Sequence, residues 1–153
     1  MKVKELMEPN FVTVEPTDTL GQAWSTMKDA HLTGACVVTE EGQLVGFATD
    51  GDFVRACMPS EADIAIYDEI MEKMELPNGI LRNLRSMRVE DIMQAADQVI
   101  TISLNEPILK ALALMFQHRL RRIPVLDGQH LIGTISRGMI LYELLVERDI
   151  DKD

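Results

Sequence analysis

Apolar residues recur along the chain at two spacings. Leu20, Ala23, Trp24 and Met27 fall at i, i+3, i+4 and i+7, and Ile108, Ala111, Leu112, Met115 and Phe116 repeat that rhythm later; this is the spacing that gathers one face of an α-helix. Short apolar runs near residues 35–39, 44–48, 123–126 and 131–135 are too brief for helices and predict β-strands. Their links, Glu40-Glu41-Gly42 and Asp127-Gly128-Gln129, are acidic and glycine-bearing, as hairpin turns are. Thr17-Asp18 and Asn105-Glu106 offer N-cap chemistry ahead of the two helical stripes, and Pro107 suits a first helical turn. A further helix is predicted from about Gly51 to Cys57, and another from about Gly138 to Arg148.

The pattern is duplicated. A shift of 86 to 88 residues lays Val3-Lys4-Glu5-Leu6-Met7 on Val89-Glu90-Asp91-Ile92-Met93, and Phe11-Val12-Thr13-Val14 on Val99-Ile100-Thr101-Ile102. It also lays Ala35-Cys36-Val37-Val38 on Ile123-Pro124-Val125-Leu126, and Leu44-Val45-Gly46 on Leu131-Ile132-Gly133. Each copy reads β-α-β-β-α, so the fold class is mixed α and β in tandem. The division expected is residues 1–58 for the first copy, 59–85 for a connector and 86–148 for the second copy, with 149–153 an acidic tail. Tyr67, Ile70, Met71 and Met74 predict a helix in the connector, and Pro77-Asn78-Gly79 is the turn expected to stop it.

Composition narrows the function. The 153 residues carry 25 acids against 15 bases, a formal charge of −10. Such a surface repels a polyanion, so no nucleic-acid partner is expected. Residues 1–75 hold 5 bases and 15 acids, while residues 76–153 are balanced and gather Arg119, Arg121 and Arg122. A small anion held by a few arginines is compatible with that distribution. The segments are too short to span a bilayer, MKVKELMEPN lacks the apolar stretch of a signal peptide, and the chain reads as cytoplasmic with no membrane partner. Cys36 and Cys57 are too few for a disulfide framework or a four-ligand zinc site.

Catalytic patterns are missing: the chain has no GxSxG, HExxH, GxxxxGK[ST] or CxxC, and His31, His118 and His130 are scattered. A non-enzyme is expected. What stands out is Gly46-Phe47-Ala48-Thr49-Asp50-Gly51-Asp52, where a strand meets a helix. Thr49 and Asp52 fit a capping box. The same geometry offers a ligand N–H donors and positive potential for phosphate, with a carboxylate for ribose hydroxyls. In the second copy, Gly133-Thr134-Ile135-Ser136-Arg137-Gly138-Met139 keeps the hydroxyl at Ser136 and replaces the carboxylate with Met139.

The succession of a β run with Thr13, an amphipathic helix, Arg121-Arg122-Ile123-Pro124-Val125 and Gly-x-x-Thr/Ser-x-x-Asp resembles the cystathionine-β-synthase (CBS) domain. Two copies in tandem resemble the pair called a Bateman module. The resemblance implies two β-α-β-β-α units packed through their sheets, with an adenine nucleotide or S-adenosylmethionine bound in the clefts between them. Carried over by position, it assigns Thr49 to the phosphate side, Asp52 to the ribose and Val12-Thr13-Val14 to the adenine pocket, with Arg121 and Arg122 on phosphates. The second cleft, with Thr101 and Ser136, is expected to be weaker. Met139 accepts no hydroxyl, and Leu32-Thr33-Gly34-Ala35 replaces the arginines that would reach that cleft.

The function expected is thus a ligand-sensing regulatory module for AMP, ADP, ATP or S-adenosylmethionine that signals to a regulated protein. The alternative is a dimerisation scaffold with a vestigial cleft. Isolated pairs of this family usually form homodimers, and a homodimer is expected under either reading. The residues name neither a metal for the phosphates nor the regulated protein.

Overall fold

Both expected hairpins form in the computed structural model, which describes residues 1–58 and 63–148. The acidic tail expected over 149–153 and the first residues of the connector, 59–62, lie outside the described residues. Two units divide the chain: Val12–Val99, and Met1–Phe11 together with the chain from Ile100 onward.

In the first unit, β1 (Thr13–Val14) leads to α1 (Leu20–Asp29), then the hairpin β2 (Gly34–Val38) and β3 (Leu44–Thr49), then α2 (Asp50–Cys57). Helices α3 (Ile64–Lys73) and α4 (Asn78–Ser86) and the short β4 (Gln94–Ala95) complete it. The sheet order is β1-β2-β3-β4, with β1 parallel to β2 and the other pairings antiparallel. Gly42 turns the hairpin at φ 83°, a left-handed conformation that costs glycine nothing. Leu20, Ala23 and Met27 enter the core as their spacing predicts, but Trp24 remains substantially exposed. The indole instead meets Phe53 of α2 with ring centroids 5.2 Å apart.

The second unit repeats the plan. It contains β5 (Ile102–Ser103), α5 (Ile108–His118), the hairpin β6 (Arg122–Asp127) and β7 (His130–Ser136), and α6 (Arg137–Tyr142), which runs on into a π turn over Glu143–Glu147. Again β5 is parallel to β6, and β6 antiparallel to β7. Ile108, Ala111 and Met115 are buried, whereas Phe116 is 88% exposed.

Two local expectations are corrected and one helix is added. The cap of α1 is Thr19 rather than Thr17-Asp18: its hydroxyl accepts the Gln22 N–H at 3.1 Å and Gln22 Oε1 accepts the Thr19 N–H at 2.8 Å. Asp18 closes the preceding turn instead, accepting from the Glu15 N–H at 2.9 Å. Pro107 stands one residue before α5, and Asn105-Glu106 provides no side-chain cap; the Ile108 N–H is satisfied by the Met1 carbonyl at 3.1 Å, so the helix start needs no side-chain acceptor. In the connector, α3 stops at Lys73, ahead of Pro77-Asn78-Gly79 as expected, but the same turn begins an unexpected second helix, α4, because Ile80, Leu84 and Met87 form a stripe that packs on the core.

The leading segments are exchanged between the copies. Val3 and Val89 open the two repeats in sequence, each in a 3₁₀ turn. Val3 donates its N–H to the Glu106 carbonyl at 2.8 Å and joins the core of the second unit; Val89 donates to the Asp18 carbonyl at 2.9 Å and joins the first. The division 1–58, 59–85 and 86–148 is a division of sequence, while the compact units interleave.

Candidate functional site

Strand register gathers the expected ribose and adenine residues at one end of the first unit's sheet. Thr13 pairs with Cys36 on parallel β2, and Gly34 pairs with Thr49 on antiparallel β3. Val12, one residue before Thr13, therefore stands at the same end as Thr49, where α2 begins. The Asp50 N–H donates to the Thr33 carbonyl at 2.9 Å and ties the start of α2 to the start of β2. Val12 is exposed and Thr13 half-buried, but the Val14 side chain lies in the core, which leaves only its backbone available to a ligand.

At the head of α2 the capping box forms as its spacing predicts. Asp52 Oδ2 accepts the Thr49 N–H at 2.9 Å and the Thr49 hydroxyl at 3.0 Å, while Thr49 Oγ1 accepts the Asp52 N–H at 3.4 Å. Asp52 is 6% exposed, the one charged side chain buried to this degree among the described residues. Its other oxygen, Oδ1, accepts from Arg55 Nη2 at 2.5 Å. A carboxylate so placed is a fixed acceptor for hydroxyls, beside backbone donors and the positive end of a helix.

In the second unit the same positions carry different chemistry. Ser136 accepts the Met139 N–H at 3.3 Å and caps α6 without a reciprocal carboxylate. Thr101, just before β5, is half-buried. Arg122 pairs across the hairpin with Ser136. Its guanidinium donates to Glu8 Oε2 at 2.8 Å and to the buried Thr134 hydroxyl at 2.9 Å. Arg121 is exposed, and no ion pair of its side chain occurs among the described residues. Both arginines thus belong to the second unit, and Thr49 and Asp52 to the first.

These parts, in this order and twice over, match a known domain: the model of the CBS domain aligns with residues 3–59 and again with 89–146. The chain belongs to the CBS domain family. The CBS domain-containing protein YhcV of Bacillus subtilis is 31% identical over 137 residues, covering 89% of this chain and 80% of its own. Among solved structures, CBSX2 from Arabidopsis thaliana in complex with AMP superposes with a TM-score of 0.70 at 22% identity, covering 96% of this chain and 98% of that one. The CBS domain pair of protein MJ0100, in complex with 5′-methylthioadenosine and S-adenosyl-L-methionine, gives 0.64 at 17% identity, covering 97% and 98%. At these identities the structures establish the tandem CBS fold. CBS pairs are in general regulatory, non-catalytic modules.

The CBS pair carries two features that its motifs do not announce. An apolar hollow of about 440 Å³ lies among α1, α2 and α4 of the first unit, lined by Leu20, Trp24, Phe53, Val54, Cys57 and Leu84. Sequence spacing alone does not find it, because α4 was not expected as a helix. The partners of the site residues were also missed. Arg55 stands at i+3 from Asp52, a spacing at which helical side chains meet, so that pair was legible in principle. Glu8 lies 114 residues from Arg122, and no local signal joins them. No described helix is long and apolar enough to cross a membrane.

Proposed function

We propose that this CBS pair is a non-catalytic, cytoplasmic sensor that binds an adenosine-containing ligand at the head of α2 and passes its occupancy to a regulated protein. The observation that carries this is the buried carboxylate of Asp52 held beside Thr49, at the sheet end where Val12 and Thr13 also stand. A buried acceptor at a helix start suits ribose hydroxyls, and the adjacent N–H donors suit phosphate. The AMP complex of CBSX2 and the adenosyl complexes of the MJ0100 pair support this ligand class. Thr101 and Ser136 form a weaker second site.

A second reading, a dimerisation scaffold, is supported by the apolar hollow and the exposed Trp24 and Phe116. A homodimer fits both. Thermal unfolding separates them, measured with AMP, ADP, ATP and S-adenosylmethionine on the wild-type chain and on Asp52→Ala. A ligand at a hundred times its dissociation constant adds about 2.7 kcal/mol, which for this size raises the melting temperature by roughly 5 to 11 °C. The sensor requires such a shift for at least one ligand and its loss in Asp52→Ala. No shift with any of the four leaves the scaffold.

A further inference from the structure

The contacts of Asp52 limit how a ribose can bind. An ionised carboxylate has about four acceptor positions. On Oδ2, two are taken by the N–H and hydroxyl of Thr49, and on Oδ1 one is taken by Arg55 Nη2. One position is left, while a ribose 2′,3′-diol presents two hydroxyls. The Thr49 contacts hold the start of α2 and are local. Arg55 is the partner free to leave: its side chain is 71% exposed and Asp52 is its one ion-pair partner among the described residues.

Arg55 is also placed against its own electrostatics. The guanidinium folds back along the first turn of α2, where a Cβ on Gly51 would come within 3.5 Å of Nη1. A helix N-terminus repels a cation, so the carboxylate of Asp52 keeps it there. Asp50, exposed at the first position of α2, adds a negative charge that an incoming phosphate must face.

We infer that Arg55 makes this site selective for phosphorylated adenosyl ligands over neutral or cationic ones. The inference rests on the adenosine-site reading above. A ribose diol that takes Oδ1 displaces the guanidinium. A phosphate on the same ligand gives the released Arg55 a new anionic partner and offsets Asp50. Adenosine provides no such partner, and the sulfonium of S-adenosylmethionine adds repulsion. Arg55 therefore opposes every adenosyl ligand at the ribose and compensates only those that carry phosphate.

Isothermal titration of the full chain with adenosine, AMP and S-adenosylmethionine tests this on wild type, Arg55→Gln and Arg55→Lys. Wild type should bind AMP at least about tenfold more tightly than the other two, the value of one charge-assisted hydrogen bond. Arg55→Gln should tighten adenosine and leave AMP unchanged or weaker, cutting the AMP preference about tenfold, and Arg55→Lys should keep part of that preference. The ratio of affinities within one variant is independent of how much of it is folded. An equal loss for AMP and adenosine in Arg55→Gln, or tighter S-adenosylmethionine than AMP in wild type, overturns the role of Arg55 and leaves the adenosine site standing. Absence of binding by all three ligands removes the adenosine site, and the inference with it.

Discussion

Glu8 and Thr134 exchange two backbone hydrogen bonds, the Glu8 N–H donating at 2.8 Å and the Thr134 N–H donating back at 3.0 Å. This lays the leading segment of the chain across β7, next to Gly133 of the Gly-x-x-Ser motif. A Cβ on Gly133 would stand 2.7 Å from the Glu8 carbonyl oxygen and 3.1 Å from Met7 Sδ. The first unit repeats the arrangement: a Cβ on Gly46 would stand 2.5 Å from the Gln94 carbonyl oxygen. The motif glycines are thus required by a crossing strand rather than by a ligand.

Gly46→Ala and Gly133→Ala should accordingly each lower stability by about 1–3 kcal/mol, because the obstructing atoms include backbone. Gly21→Ala, in α1 with nothing within 4 Å of its Cβ position, should be neutral or stabilising by about 0.5–1 kcal/mol. Urea unfolding midpoints at constant slope compare the three. Gly133→Ala with an unchanged midpoint would show that the leading segment lies elsewhere.

The exchange of leading segments makes a second prediction. Val3 and Val89 are both fully buried, and each lies in the core of the unit built on the other copy. Truncating either to Ala removes two methyl groups, a loss of about 1.6 kcal/mol by transfer, with a further cavity term. Hydrogen exchange should report Val3→Ala as lost protection in β5, β6 and β7, and Val89→Ala as lost protection in β1, β2 and β3. The opposite assignment would mean that each leader stays with its own copy.

These two results mark where sequence reading stops. The strands, the first helices and the Thr49–Asp52 box were legible because each rests on neighbours within a few residues. The fold class followed from the repeat. The exchange was not legible, because Val3 and Val89 look identical whichever core they enter. The α1 cap was misplaced because Thr17, Asp18 and Thr19 all have capping side chains, and only the path of the chain chooses Thr19. Within the site, Asp52 was readable from its motif, whereas Glu8 as the partner of Arg122 depends on that same exchanged segment.

The exposed apolar faces predict self-association. Trp24 and Val54 stand at the hollow of the first unit, and Phe116 and Leu145 are exposed on the second. Where such side chains join into a contiguous apolar patch, they mark an interface. Sedimentation should give a particle of twice the 17.2 kDa chain mass, and Trp24→Glu or Phe116→Glu should shift it toward the monomer. A wild-type monomer at micromolar concentration would remove the homodimer from both functional readings.

Met139 provides the last prediction. It occupies the position of Asp52 in the second copy, and its N–H already donates to Ser136 Oγ at 3.3 Å. Only the carboxylate of a capping box is lacking. Buried ribose hydroxyls left without acceptors cost roughly 1–3 kcal/mol each, one to two powers of ten in affinity, so the wild-type chain should bind one nucleotide tightly and a second weakly or not at all. Met139→Asp should return the reciprocal bond to the Ser136 N–H and strengthen the second site, while steadying the start of α6 by about 0.5–2 kcal/mol. Calorimetric stoichiometry distinguishes the cases. Two equal sites in the wild type would show that the carboxylate does not set affinity. A stabilised Met139→Asp that still binds one nucleotide would show that the second site lacks more than this acceptor, the arginines replaced by Leu32-Thr33-Gly34-Ala35 included.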